Sequence, residues 1–181
     1  PLMDTDPTYI VSRIRRDTRR SKSKLMYREN LWVMLRRNKF QYPFAPFYWF
    51  EFMPRGYAYG LGMWVGRPIQ FDEVRKLILK EPERWRNAVK ATETAGLHYN
   101  VRDFYKKDRI PDAPEDLKQY LNAKNMEFSV WKQDMKRIAC TDIIDDLRFV
   151  ISASSPMYEF LIEAYDNAFN EGLINADYYK R

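Results

Sequence analysis

Residues 47–66, FYWFEFMPRGYAYGLGMWVG, decide the fold, because they contain two apolar runs separated by turn-forming residues. The first run, FYWFEFM (47–53), is rich in aromatic residues, as is typical of a strand covered on both faces. Turn chemistry follows in PRG (54–56). The second run, 56–66, alternates small and aromatic residues, and its glycines permit a bulge or the close approach of a neighbouring strand. The pattern predicts an antiparallel strand pair in the middle of a sheet.

Strands are predicted on both sides of this pair, and helices follow it. From Gln70 the apolar residues recur at helical spacing, with an interruption near Pro82. Strands come first and helices later, without regular alternation, so the predicted fold class is α+β. We expect one domain spanning residues 1–181, in which an antiparallel sheet of four to six strands packs against helices from the C-terminal half. The further predicted strands are 9–20, 30–37, 97–107 and 126–133, and the further predicted helices are 111–124, 143–152 and 155–173.

The last predicted helix has typical residues at both ends. Ser155 is suited to the N-cap, and Pro156 fits the first helical position. Gly172 can end the helix, because glycine readily adopts the left-handed conformation that follows many helices.

Composition excludes several classes of protein. No stretch approaches the roughly 18 consecutive apolar residues that span a bilayer, so we expect no membrane partner. The single cysteine, Cys140, cannot form an intrachain disulfide; it fits a reducing compartment, and we expect a cytoplasmic location and a buried thiol. With one cysteine and one histidine, His98, zinc sites of the Cys/His types cannot form, and a nucleophile–His–acid triad would have to use His98. We expect no metal and no cofactor, and the sequence leaves open whether the protein is an enzyme.

The positive charge is concentrated in Arg15–Lys24, RRDTRRSKSK. This decapeptide carries a net charge of +5, out of +6 for the whole chain. It fits a solvated arm, a nucleic-acid contact assisted by aromatic stacking, or a pocket for a phosphate or carboxylate. Asp17 favours the pocket. An acid within the segment can orient the arginines of a structured site, whereas it would not help an arm to bind a phosphate backbone.

Glu51 is the one charged residue in the aromatic run 47–53. A carboxylate in a central strand is partly buried and needs a cation or hydrogen bonds. Two arrangements satisfy it: an ion pair with an arginine on a neighbouring strand, or a cleft that Glu51 shares with an arginine of the basic segment. The aromatic residues of the two central strands are expected mainly in the core.

The sequence resembles the family called domain of unknown function 2461. The resemblance is carried by RRDTRRSKSKLMYR (15–28), FYWFEFMPRGYAYGLGMWVGRP (47–68) and FDEVRKLI (71–78). Members carry an Arg-Asp-x-Arg-Phe-Ser-Lys-Asp-Lys-x-Pro-Tyr-Lys segment, then a strand ending in a Glu-Pro-like turn and a Gly-rich strand. The residues that match this pattern are Arg16, Asp17, Arg19, Ser21, Lys22, Lys24, Tyr27, Glu51, Gly60 and Gly62.

The chain also departs from the family pattern. Arg20, Ser23 and Arg28 stand where the family has Phe, Asp and Lys. The resemblance implies a compact α+β domain but no established activity, substrate or cofactor. Members usually have a helical segment upstream of the motif, and we expect the chain as given to lack it.

The predicted function is binding of a small anionic, phosphate-bearing ligand at the basic segment. One alternative is a nucleic-acid-binding module, and another is an enzyme that works without imidazole, with Glu51 or Asp17 as general base. In the favoured hypothesis the arginines and lysines supply charge, Ser21 and Tyr27 supply hydroxyl groups, and Asp17 and Glu51 hold the cations in place. The predicted ligand-binding residues are Arg16, Asp17, Arg19, Ser21, Lys22, Lys24, Tyr27 and Glu51.

Overall fold

The computed structural model describes residues 3–17, 19, 25–64 and 68–174. Within them the chain forms an α+β domain in which five antiparallel strands and seven helices occur. The strands are β1 (Leu31–Arg36), β2 (Phe47–Met53), β3 (Gly56–Met63), β4 (His98–Tyr99) and β5 (Met126–Lys132). The helices are α1 (Pro7–Ile10), α2 (Ile69–Lys80), α3 (Pro82–Thr94), α4 (Glu115–Leu121), α5 (Met135–Ile138), α6 (Asp142–Ala153) and α7 (Ser155–Asn170).

The predicted strand pair lies at the centre of the sheet. The strand order is β1-β2-β3-β5-β4, so β2 and β3 each have a neighbour on both sides. Met53 pairs with Gly56, which leaves Pro54 and Arg55 as a two-residue turn. The prediction of a central antiparallel pair from residues 47–66 is confirmed, with the second strand ending at Met63.

One face of the sheet packs against the helices and forms the core. In the antiparallel register, side chains directly opposite each other lie on the same face. Tyr48, Leu61 and Phe128 form one such row, and all three are buried. They join Phe71 of α2, Trp85 of α3 and several residues of α7 in one cluster. The buried α7 residues are Met157, Phe160, Leu161, Ala164, Tyr165 and Ala168.

The opposite face of β3 has no side chain larger than a methyl group. Its residues are Gly56, Ala58, Gly60 and Gly62, which alternate with the core residues of the same strand. A Cβ on Gly60 would lie 2.3 Å from the carbonyl oxygen of Phe128. The predicted close approach of a neighbouring strand at these glycines is therefore confirmed.

The prediction of a strand over 9–20 is wrong. Asp6 accepts a hydrogen bond from the backbone N–H of Thr8 at 2.8 Å, and Pro7 occupies the first turn of α1, so a short helix forms instead. Beyond it, the described residues of this range form isolated bridges, such as Val11 with Val33, and no strand.

Two other predictions need correction. The strand over 97–107 is reduced to the two residues of β4, because the charged stretch beyond Asn100 leaves the edge of β5. The N-cap of α7 is Ser154 rather than Ser155, and its buried Oγ donates to the carbonyl of Val150 instead of capping the helix. Gly172 has φ +72°, as expected for the residue that ends this helix.

Candidate ligand-binding site

The open face of the sheet carries polar and aromatic side chains in ordered rows. Alternate residues of neighbouring strands stand side by side across it. Glu51 and Trp49 of β2 flank one side of β3, and Trp131 and Ser129 of β5 flank the other. The three rows, read from β1 to β5, are Trp32–Glu51–Ala58–Trp131, Met34–Trp49–Gly60–Ser129 and Arg36–Phe47–Gly62–Glu127.

These rows enclose a groove of about 310 Å³, which we call the tryptophan groove. This volume is at the lower end of the range for sites that bind small molecules. The small residues of β3 leave room for it, and Trp64, half exposed just after β3, packs edge-on against Phe47. The residues that line the groove are Trp32, Met34, Phe47, Trp49, Glu51, Trp64 and Glu127.

Glu51 is half-buried and accepts a hydrogen bond from the side-chain amide of Asn30. The structure shows no ion pair for Glu51 among the residues it describes. One expectation from the sequence was an arginine partner, but the amide of Asn30 fills that place. The carboxylate lines the groove beside Trp32 and Trp49, and its second oxygen is not used by Asn30. Glu51 can therefore accept a hydrogen bond from a ligand.

Glu127 is the second carboxylate of the groove, and sequence reasoning missed it. Asn100 donates to Ser129 Oγ at 3.1 Å, and Ser129 donates to Glu127 Oε1 at 2.9 Å. Burial raises the pKa of the Glu127 carboxyl above its ordinary value of 4.5, partly offset by the hydrogen bond from Ser129 and the charge of Arg102. The criterion that identified Glu51, a lone acid in an apolar run, also applies to Glu127 within 126–131.

Two short stretches, residues 14–16 and 26–28, lie side by side and pair through their backbones. Arg15 pairs with Tyr27, and the backbone N–H groups of Arg16 and Arg28 donate to Met26 and Ile14. We call these two paired stretches, together with Asp17 and Arg19, the basic hairpin. The predicted site residues Ser21, Lys22 and Lys24 lie outside the described residues.

Asp17 and Arg19 hold each other at the surface. The Arg19 guanidinium donates to the two carboxylate oxygens of Asp17 at 3.0 and 2.7 Å, and the hydrogen bond and charge of Asp17 raise the pKa of Arg19. Both side chains are largely exposed, as is Tyr27. An acid orients an arginine here, as the sequence suggested, although neither residue lines the tryptophan groove.

Arg28 connects the basic hairpin to the groove. Its guanidinium carbon lies 4.7 Å from the centre of the Trp32 ring, and its Nε is buried without a hydrogen-bond partner among the described residues. Trp32 lines the groove next to Glu51. Arg28, which stands where the family pattern has Lys, and Glu51 of the family pattern thus both lie next to Trp32.

A second group of cations lies near the start of the hairpin. Burial lowers the pKa of the Lys39 ammonium, and the positive charges of Arg36 and Arg13 lower it further. Since like charges produce this effect only at close range, the three cations create a positive region along the edge of β1.

Other sequence-based expectations have mixed outcomes. Tyr48, Tyr57 and Tyr59 are in the core, whereas Trp49 is half-buried and Trp64 is half exposed on the open face. Cys140 is exposed, because it lies in the turn between α5 and α6 rather than in the core. The described residues contain no cluster of three or more potential metal ligands, and no helix among them is long and apolar enough to cross a membrane.

The comparisons with known proteins agree with the motif found in the sequence. The family model described as "Conserved hypothetical protein (DUF2461)" matches residues 2–160, which is nearly the whole chain. Neither the curated proteins nor the solved structures include a match. The residues of the family pattern that lie on the open face are Glu51, which lines the tryptophan groove, and Gly60 and Gly62, which stand in the same cross-strand rows as lining residues. The chain belongs to the DUF2461 family.

Proposed function

We propose that this protein binds a small ligand with a flat ring and an anionic, phosphate-bearing group. The ring lies in the tryptophan groove, and the anionic group lies at the basic hairpin. The observation that carries the proposal is the contact of Arg28 with Trp32, because it makes the positive hairpin and the aromatic groove neighbours.

The lining of the groove suits a ring that can donate hydrogen bonds. Indole rings stack on flat ligands, and such stacking is worth about 1–3 kcal/mol per nucleobase. Trp32, Trp49 and Trp64 provide indoles, and Glu51 provides an acceptor. Nitrogen heterocycles with amino groups, such as the base of a nucleoside phosphate, have this combination of properties.

The basic hairpin supplies the charge for the anionic group. Arginine binds phosphate through two parallel N–H donors, and Arg16 and Arg19 belong to the hairpin. In this proposal Lys22 or Lys24 adds charge, and Ser21 and Tyr27 offer hydroxyl groups. Asp17 holds Arg19 in a fixed orientation through their two hydrogen bonds.

Isothermal titration calorimetry tests the proposal with four probes: adenosine monophosphate, guanosine monophosphate, glucose 6-phosphate and inorganic phosphate. We expect the nucleotides to bind more tightly than glucose 6-phosphate, which has no flat ring, and inorganic phosphate to bind most weakly. Arg28→Met and Trp64→Ala should each lower nucleotide affinity at least about tenfold, the equivalent of one lost contact of about 1.4 kcal/mol.

The matched control is Arg148→Met, which removes an exposed arginine from α6. It should leave affinity unchanged. Arg19→Ala should weaken the binding of inorganic phosphate and of nucleotides to a similar extent, because it removes a charge and not a stacking surface. The proposal fails if no probe binds, or if Arg28→Met and Arg148→Met bind equally well.

A further inference from the structure

We propose that Glu127 is a specificity-determining residue of the tryptophan groove that donates a hydrogen bond, through its protonated carboxyl group, to an acceptor atom of the ligand ring. The acceptor is a ring nitrogen or a carbonyl oxygen. This inference rests on the proposed function and names the ring chemistry that the groove selects.

The position of Glu127 supports a direct contact with the ligand. It stands in the row of Phe47 and Gly62, and the glycine between them leaves the carboxyl group facing the groove. The Asn100–Ser129–Glu127 chain of hydrogen bonds holds one carboxyl oxygen. Among the residues that the structure describes, none donates to the other oxygen, so that atom is open to a ligand.

The surroundings of Glu127 favour its neutral form. Among the described residues, the charged and titratable groups around it are Arg102 beyond β4, His98 on β4, Glu51 across the groove and Arg36 at the far end of its row. Of these, Arg102 opposes protonation, but burial outweighs it and the carboxyl pKa is raised. A neutral carboxyl group is a hydrogen-bond donor, whereas a carboxylate only accepts.

The two acids thus give the two ends of the groove different hydrogen-bonding properties. Glu51 accepts from Asn30 and offers an acceptor, whereas Glu127 in its neutral form offers a donor. Ideal sheet spacings of about 4.8 Å between strands and about 3.3 Å per residue separate their Cα atoms by about 16 Å. Glu51 and Glu127 therefore lie at opposite ends of the groove.

The pH dependence of binding follows from the donor role. The neutral form of Glu127 is populated below its pKa, so affinity is highest there and falls as the pH rises through it. Calorimetric titration with adenosine monophosphate from pH 5 to pH 8 should show an affinity that decreases by up to tenfold per pH unit above the Glu127 pKa, and net uptake of protons on binding.

Three variants identify the group whose titration causes the pH dependence of binding. Glu127→Gln cannot ionise and still carries a donor, so it should bind but lose the part of the pH dependence that belongs to Glu127. Ser129→Ala removes the hydrogen bond that lowers the Glu127 pKa, and it should move the midpoint of the affinity profile to higher pH. His98→Gln is the control for the neighbouring histidine and should keep the wild-type profile. The phosphate of the probe titrates in all variants alike.

The outcomes separate this inference from the proposed function. If wild type and Glu127→Gln bind adenosine monophosphate with the same pH profile, the role of Glu127 is wrong while the groove remains a binding site. If His98→Gln alone changes the profile, the titrating group is His98 and not Glu127. If wild-type protein does not bind the probe at any pH, both proposals are wrong.

Discussion

Gly60 shows how a single residue can shape both the fold and the groove. It lies between Trp49 on β2 and Ser129 on β5 in the middle row of the open face, and Trp49 lines the groove. A Cβ at this position would lie 2.3 Å from the carbonyl oxygen of Phe128 and 2.8 Å from the Cβ of Ser129. The neighbouring backbone is part of the sheet, so it cannot move aside without weakening the ladder between β3 and β5.

We therefore expect Gly60→Ala to lower the free energy of unfolding by about 2 kcal/mol, because an extra methyl group in a packed position costs about 1–3 kcal/mol. Urea-induced unfolding followed by tryptophan fluorescence measures the loss. Ser152→Ala, at an exposed position of α6, is the control and should change stability by less than about 0.5 kcal/mol. A Gly60→Ala protein as stable as this control would contradict the close approach of β5.

Individual residues also show which parts of the site could be predicted from the sequence. Glu51 could be found because it interrupts an aromatic run, and Gly60 and Gly62 because small residues are unusual in a strand interior. The aromatic groove itself could not be found, since a sequence does not show that Trp32 and Glu127 lie on the same face until the strand register is known. Arg28 was noted only as a departure from the family pattern, because its contact with Trp32 depends on the return of the basic hairpin.

At the scale of elements, the predicted positions are correct where a single residue pattern extends over a whole strand or helix. β2 and β5 have long apolar runs, and their predicted positions are confirmed to within a residue. The prediction over 9–20 failed because local capping by Asp6 and Pro7 outweighed the β-branched residues that follow. The strand predicted over 97–107 was too long, because the aromatic residues that follow β4 belong to a loop. Tyr105, for example, packs against cations and does not extend the sheet.

Arg75 joins two of these elements through the core. Its side chain is almost fully buried, and it donates to the carbonyls of Leu121 at 2.7 Å and of Ala123, and to Asp72. It thereby connects α2 to the end of α4, just before β5. Burial lowers the pKa of Arg75, and the hydrogen bond and charge of Asp72 offset this effect only in part.

Replacement of Arg75 by methionine should lower the free energy of unfolding by about 3 kcal/mol. The apolar side chain keeps most of the volume but leaves two carbonyls and Asp72 without their buried donor, and losing one partner of such a group costs about 3–5 kcal/mol when burial is complete. Thermal unfolding followed by circular dichroism measures the effect. Lys90→Met, at an exposed position of α3, is the matched control, and an equal effect in both variants would contradict the role of Arg75.

Over the whole molecule, the distribution of charge separates a small-ligand protein from a nucleic-acid-binding module. The chain has 31 basic and 25 acidic residues, and the basic segment holds +5 of the net +6. Many cations elsewhere are paired within the fold, as Arg84 is with Glu81 and Glu163. The positive charge available to a long polyanion is therefore concentrated in one short segment of the chain.

This confinement predicts weak, moderately salt-dependent binding of nucleic acid. If about two phosphates of a strand contact the basic hairpin, affinity should fall about sevenfold between 50 and 200 mM salt, whereas six to ten contacts would lower it about 10³–10⁵-fold on duplex DNA. Fluorescence anisotropy with a labelled random 20-nucleotide DNA measures the slope at several salt concentrations. Arg28→Met and Arg19→Ala should reduce the slope, and Arg148→Met should not. Tight binding that falls about a thousandfold over this range would instead favour the nucleic-acid module, because a phosphate-tracking surface must then extend well beyond the hairpin.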